Sequence, residues 1–314
     1  MNEKNKSTLF QYAFLLFMLG IAIVILAAPQ IRFLSEYLVH IMFGFFISGF
    51  VFLFMNQKKL LITSFAICGM LCVILKNESN SNLVNPIENN NPKIKLSHYN
   101  LSNLDNPYEL VAAIEKENAD VISFQELTPD WHAILEIALK NNYEYYTDIV
   151  RIDPYGKGFY SKYPIVKVDT INKSTFQDLR IQCSHQGNEY VFYSTYVIPA
   201  LDKRSRALAK EQLTQISEKV KREIRPSLVF GDFNLVYWSE EVSHFRNNSL
   251  LNNSRKEVVP ASFKLPYDHI FYSKSLECLN ERDILDARDE KIGYMGVYQA
   301  KNDERKQIML SKIN

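Results

Sequence analysis

Three apolar runs crowd the first quarter of this chain, and none contains Asp, Glu, Lys or Arg: Leu9 to Ala28, Leu38 to Met55 and Leu60 to Leu75. Each approaches the length that a helix needs to cross a hydrocarbon core, the third being slightly short. In that medium a chain must satisfy its own backbone, so all three runs are expected to be helical. A cleaved signal peptide followed by core helices is the alternative, and Lys4 and Lys6 do resemble a positive leader. The first run is too long for that, and no small-residue cleavage site follows it. The expected organisation is a membrane anchor of three transmembrane helices over residues 1–76, a linker over 77–92 and a domain over 93–314. Lys4, Lys6, Lys58 and Lys59 fall on one side of such an anchor, against Arg32 and Lys76 on the other. The positive-inside rule then places the N-terminus in the cytoplasm and the C-terminal domain outside it. The linker is rich in Asn, Ser and Pro, as flexible connections are.

Charge excludes little. The chain has 36 basic and 35 acidic residues, a net charge of +1, so there is no electrostatic case for binding long nucleic acid. Four cysteines are too few for a disulfide scaffold and form no paired CxxC motif. Cys183 and Cys278 are compatible with a bridge if the domain faces an oxidising compartment.

Beyond the linker, strands and helices interleave. Lys93–Tyr99, Val121–Phe124, Ser227–Phe230, Ile270–Tyr272 and Val297–Ala300 read as strands, with several more between Tyr143 and Tyr196. Pro107–Glu117 and Pro129–Lys140 read as helices that start at proline. A long helix capped by Asp202 is expected to reach about Ile224, with Leu213, Ile216, Val220 and Ile224 on its buried stripe. The fold class is α/β: two packed sheets covered by helices.

Chemistry-bearing residues gather where strands end. Gly231-Asp232-Phe233-Asn234 follows an apolar strand, and residues two apart project to one side of an extended chain. Such a pair can hold a water and a phosphoryl oxygen. All of its polar members are also ordinary turn formers. Gln125-Glu126 ends another strand, where a carboxylate suits a hard cation such as Mg²⁺ or simply caps the next helix. Asp268-His269 precedes Ile270, and Asn100 closes the first strand. His98 shares strand spacing with Asn100, and a structural role is its plainer reading; His269 should face away from Asp268 as a core histidine. Tyr143, Tyr145 and Tyr146 fit a half-buried strand or a stacking surface. Arg204 and Arg206 fit a solvated helix start or a phosphate contact.

In order, Asn100, Gln125-Glu126, Gly156-Lys157-Gly158 with Ser161-Lys162-Tyr163-Pro164, Gly231–Asn234 and Asp268-His269-Ile270 resemble the motifs of the endonuclease/exonuclease/phosphatase superfamily. The likeness is greatest to a bacterial branch with a hydrophobic multi-span N-terminus, and it runs from about Lys93 to Ala300. It implies a deoxyribonuclease I-like sandwich of two sheets in four layers, cleaving phosphate esters with Mg²⁺ or Mn²⁺. It further implies Glu126 as metal carboxylate with Asn100 beside it. Asp232 would orient the attacking water, Asn234 would contact phosphoryl oxygens, and Asp268 would complete the acidic site. Two departures stand out. Tyr196 occupies the place of a histidine in a Thr-His pattern, and the terminal Ser-Asp-His pattern has no counterpart in Lys291–Tyr298. A phenol with an ordinary pKa near 10 is a poor base at neutral pH. The resemblance therefore leaves two expectations: a membrane-anchored, metal-dependent phosphoesterase, or a non-catalytic relative that binds a phosphate group or a protein. The substrate class stays open.

Overall fold

The computed structural model describes residues 12–21, 23, 36–80, 82, 85–171, 176–257 and 265–301. The apolar N-terminal part forms helices α1 (Tyr12–Ile21), α2 (Leu38–Phe54) and α3 (Lys58–Glu78). Among the described residues only α3 is long and apolar enough to cross a membrane, which corrects the expectation of three spans. At 1.5 Å per residue, the 17 residues of α2 reach about 25 Å, short of a hydrocarbon core of about 30 Å. Asn56, with φ 56°, turns the chain left-handedly just past its end. The two sides of the first run, residues 1–11 and 24–35, lie outside the described residues, and with them Lys4, Lys6 and Arg32, on which the orientation argument rests. The helix α3 also runs to Glu78, taking over the start of the expected linker.

The domain is built on two six-stranded sheets. The first takes β1 (Lys93–Asn100), β2 (Val121–Gln125), β3 (Tyr145–Ile149), β4 (Lys157–Ser161), β11 (Leu276–Leu285) and β12 (Lys291–Ala300), in the order β11-β12-β1-β2-β4-β3. The second takes β5 (Ile165–Thr170), β6 (Leu179–His185), β7 (Asn188–Tyr196), β8 (Ser227–Asp232), β9 (Leu251–Asn253) and β10 (Asp268–Ser273), in the order β5-β6-β7-β8-β10-β9. Ile94, Leu96, Phe159, Phe192, Phe230 and Ile270 interdigitate between them. Helices α4 (Pro107–Glu117) and α5 (Pro129–Leu139) cover the outer face of the first sheet, and α6 (Lys203–Lys221) and α7 (Glu240–Ser249) that of the second.

The local chemistry explains the helix limits. Asn106 and Thr128 cap α4 and α5, each followed by proline in the first turn, and Asp202 with Ser205 forms a capping box on α6. That helix stops at Lys221, three residues before the expected end, and Ile224 is exposed rather than buried. Pro226 enters the next strand and disfavours helix in the residue before it.

Glu117 ties this frame together. Its side chain, 2% exposed, meets Lys95 of β1 at 3.1 Å and accepts from Arg282 of β11 at 2.6 Å on both oxygens. Burial pushes the carboxyl up, but Arg282 and Lys95 outweigh it and leave the pKa below the ordinary 4.5. A depressed folded value means that this contribution is complete above the unfolded value and is lost as the pH falls through the folded one. Glu117→Gln is expected to cost about 2 kcal/mol at neutral pH, with Arg282 half exposed and partly screened, and to flatten the acid limb of a stability-against-pH curve.

Candidate active site at the shared strand ends

One edge of the sandwich collects the strand ends. The chain runs parallel through β1 and β2, pairing Asn100 with Gln125, and through β7 and β8, pairing Tyr196 with Asp232. Antiparallel β10 brings Asp268 opposite Asp232, and β12 enters at the same edge with Lys291. Crevices outside the carboxyl ends of strands are the usual ligand sites of open α/β sheets.

Gly231 makes the bend that delivers Asp232. Its φ is +143°, and a Cβ there would lie 1.8 Å from the Thr195 carbonyl oxygen, so no other residue fits without moving β7. Two further site residues hold left-handed backbone, Asn234 at φ 49° and Glu126 at φ 60°. Asparagine tolerates that conformation; a glutamate there is strained by about 1 kcal/mol or more and is held by its surroundings.

The five residues expected at the site come together across the two sheets. Asn100 Nδ2 donates to Asp232 Oδ2 at 3.1 Å, and Asp232 Oδ1 accepts from the Asn234 backbone N–H at 2.8 Å. The Asn234 side-chain amide is braced on the Val197 carbonyl at 2.9 Å. Glu126 lies beside Ser102 and Asn100 and within electrostatic reach of Asp268 and Asp232. Tyr196 sits against the same group, touching Asn234 and packing edge-on against Tyr155 at 5.3 Å.

The charges are unequal. Burial, then Asp268 and Glu126, push the Asp232 carboxyl far above the usual carboxylate range. Asp268 goes the other way: Lys291 and His98 outweigh its burial and hold it well below that range. Lys291 Nζ donates to Asp268 Oδ2 at 3.1 Å and stands 3.6 Å from Asp283. His98, 1% exposed, points Nε2 at Asp268 Oδ1 across 3.7 Å while Nδ1 faces Ser123 Oγ at 3.2 Å. That 3.7 Å is too long for a hydrogen bond. The Glu126 carboxyl is raised by burial and by Asp268, against the polar neighbours Ser102 and Asn100. Burial, with Asp232 and Glu126 nearby, pushes the Tyr196 phenol up to about 12, so it is a neutral donor at physiological pH.

Other expectations are answered by position. His269 is a core histidine: its Nε2 pairs with the Leu235 carbonyl at 2.8 Å, and burial drops its pKa to about 3. Tyr143 donates to the Ala119 carbonyl at 2.8 Å from a buried position, and Tyr146 stacks on Tyr160. Arg206 stands 3.8 Å from Glu241 of α7, away from the acidic edge. Cys183 and Cys278 are both free thiols buried in the core between the sheets, so no bridge joins them.

Sequence reasoning passed over Lys291, Ser102, Tyr155 and the buried pair Lys157–Asp178. Each side chain of that pair is 1% exposed and their charged atoms are 3.6 Å apart. Asp178 also accepts from Thr195 at 2.6 Å and from Gln212 at 3.1 Å, and Gln212 holds the Tyr196 carbonyl at 2.9 Å. Nothing local in Gly156-Lys157-Gly158 signals a lysine buried against a partner about twenty residues on.

Two mixed sheets packed face to face, with a nest of carboxylates and amides at their common strand ends, define a phosphoesterase-like or nuclease-like sandwich. The model of the endonuclease/exonuclease/phosphatase family matches residues 98–288, and the chain belongs to that family, whose members are hydrolases of phosphoester bonds. Similar solved structures include D. rerio TDP2 complexed with a single-strand DNA product. It is 15% identical, with 66% of this chain and 99% of that one covered and a TM-score of 0.54. Family proteins from Bacteroides thetaiotaomicron and Bacteroides vulgatus are also similar. The first is 14% identical, covers 68% of this chain and 100% of that one, and has a TM-score of 0.53; the second has 15%, 67%, 100% and 0.54. At such identities the likeness concerns the fold. No curated protein matches.

Proposed function

We propose that this chain is a membrane-anchored phosphoesterase that uses a divalent cation. The observation that carries the reading is the convergence of Asn100, Glu126, Asp232, Asn234, Asp268 and Lys291 at one edge. Buried Asp232 and part-buried Glu126 are both raised by burial and by the neighbouring Asp268 charge, with Glu126 adding to the load on Asp232, and a divalent cation would relieve that crowding of like charge. Among the described residues no three His, Cys, Asp or Glu side chains form a complete metal cage. Mg²⁺ and Mn²⁺ need only one or two carboxylates and keep several waters. Glu126 with Asn100 would hold the cation, which when bound supplies Lewis-acid stabilisation of charge on the phosphoryl oxygens.

The chain's own groups do the rest. Asp232, held on both oxygens by Asn100 and the Asn234 backbone, orients the attacking water and takes its proton, a task favoured by a raised carboxyl pKa. Asn234, braced on Val197, and neutral Tyr196 donate toward the phosphoryl oxygens. Lys291 adds positive charge where the terminal Asp-His pattern is missing, and His98 supports Asp268 from behind. Fixed donors and charges of this kind cost no reorganisation as charge develops.

Anchoring rests on α3, with Lys58 and Lys59 at one end and Lys76 near the other, and on the apolar side chains that α2 and α3 leave uncovered. Ile47, Ile62 and Val73 are each at least 60% exposed, and Phe54 87%. Large apolar side chains exposed on two packed helices suit a lipid surrounding. The expected multi-pass membrane localisation, with the domain on the extracytoplasmic side, would require α1 and α2 to insert as well.

The test is hydrolysis of bis(p-nitrophenyl) phosphate by the full-length protein in detergent. Turnover that needs Mg²⁺ or Mn²⁺ and falls at least about 100-fold with chelator is expected. A second reading, a non-catalytic module that binds a phosphate group, is favoured by Tyr196 and the absent Asp-His pattern. Saturable cation and phosphate binding by calorimetry with no turnover would select it instead.

A further inference from the structure

The chain segments that carry the acidic site are the ones that pack against the anchor. Directly after Asn234, the residues Val236, Tyr237 and Trp238 are buried in one apolar cluster with Leu38, Val39 and Met42 of α2 and Leu71 and Leu75 of α3. Directly before Asp268, Leu265 and Tyr267 pack on the same cluster, and the Tyr267 carbonyl accepts from the Phe233 N–H at 2.9 Å. Both approaches to the Asp232–Asp268 pair therefore lean on the helices.

Polar bonds fix the attachment. Lys76 donates to the carbonyls of Asn80 at 2.9 Å and Lys256 at 3.2 Å. Arg246 of α7 donates to the Glu78 carbonyl at 2.7 Å and to its carboxylate at 2.6 Å. Asn253 reaches the same carbonyl at 3.2 Å, the Asn80 N–H bonds to the Arg255 carbonyl at 2.7 Å, and the Asn80 side chain bonds to Tyr272 at 3.0 Å. The domain is bolted to the end of α3 rather than hung from a loose tether.

Leu75 and Leu71 are fully buried and lie about 5 Å and about 11 Å from the end of α3. If α3 spans, its 21 residues, about 32 Å long, match a hydrocarbon core of about 30 Å, so these contacts lie in the membrane-end turns of the helix, within about 11 Å of the boundary between acyl chains and headgroups. Tyr237 and Trp238 are buried against the helices there, and Tyr267 packs on the same cluster. Tyr267 adjoins Asp268 in the chain, which keeps the acidic edge close to these contacts.

Resting on the phosphoesterase reading, we infer that the substrate is a phosphate ester carried by a membrane lipid and cleaved in the bilayer that holds the anchor. Hydrolysis then joins the water oxygen to phosphorus and breaks one ester P–O bond. The departing alcohol oxygen takes a proton, and the apolar product or the headgroup leaves according to which bond breaks. A lipid brought to the site by diffusion in the membrane has a high effective concentration there, so the site needs little affinity for it in solution. The near-zero net charge agrees, since nothing draws in a polyanion from the bulk.

The experiment reconstitutes the full chain in vesicles of phosphatidylethanolamine and phosphatidylglycerol with Mg²⁺ or Mn²⁺. Phosphorus NMR follows the lipids, and absorbance follows bis(p-nitrophenyl) phosphate in the same sample. Lipid turnover is expected to exceed that of the soluble diester by about tenfold or more, and to fall as detergent dilutes the lipid at constant bulk concentration. Asp232→Asn should abolish it. Asp232-dependent cleavage of the soluble diester or a single-stranded oligonucleotide, with the lipids untouched, would overturn the lipid assignment and leave the phosphoesterase reading standing. If no phosphate ester is cleaved at all, both fall.

Discussion

Asp232→Ala is expected to lower turnover of bis(p-nitrophenyl) phosphate by about a thousandfold while the domain stays folded. The carboxylate is the most burdened group in the site. It is 7% exposed, lies opposite Asp268 in the β8–β10 ladder, and feels Glu126 as a second like charge. Its hydrogen bonds from Asn100 and the Asn234 backbone position it but do not offset that repulsion. Removing it leaves no buried charge unpaired, because Lys291 still has Asp268 and Asp283. Thermal stability should therefore hold or rise, the signature of a residue kept for its chemistry. The conservative Asp232→Asn retains an acceptor for the Asn234 N–H but cannot take a proton, so it should be nearly as inactive. Parent and variant with equal kcat/KM would remove Asp232 from the reaction, whatever the melting temperature does.

Asp178→Ala should do the opposite, unfolding much and informing on little chemistry. It leaves the Lys157 ammonium 1% exposed with no carboxylate, and burial already drives that amine's pKa down. It also strips Thr195 and Gln212 of their acceptor. Breaking one side of a buried pair typically costs about 3–5 kcal/mol. Denaturant unfolding of the domain signal should lose that amount, and Lys157→Met in the same chain should recover a large part, since the orphaned charge goes with it. Recovery by the double variant separates the pair's electrostatics from simple loss of packing. A cost below about 1 kcal/mol for Asp178→Ala would mean that the lysine is neutral or hydrated in the folded protein.

What could be read from the sequence follows the range of the forces involved. The acidic nest was visible because Gly231–Asn234, Gln125-Glu126 and Asp268 each sit where an apolar strand gives way to turn chemistry, a local event. The helices over Pro107–Glu117 and Pro129–Leu139 were visible because proline and a capping side chain mark their starts. By contrast, β11 and the first half of β12 went unread. Their pattern is broken by charged residues that pair only in the folded state, such as Arg282 with Glu117 and Lys291 with Asp268. Lys291 as a site residue was hidden for the same reason: its place depends on the pairing of β12 with β1, almost two hundred residues earlier. Ile224 has the right spacing for a buried stripe, yet proline chemistry ended the helix before it. The seating of Trp238 against the apolar helices has no local signature, and a tryptophan after a turn reads equally well as a surface residue.

The two thiols of the sandwich have a wider bearing. Cys183 and Cys278 are fully enclosed, unbridged, and pushed up to about 12 by burial. At neutral pH their thiolate fraction is on the order of one in a hundred thousand, and only thiolate exchanges with disulfides. The fold thus neither draws cohesion from an oxidising milieu nor offers that milieu a handle. Its integrity is the same on either face of a membrane, so the redox climate of the compartment does not choose the side on which this domain can work.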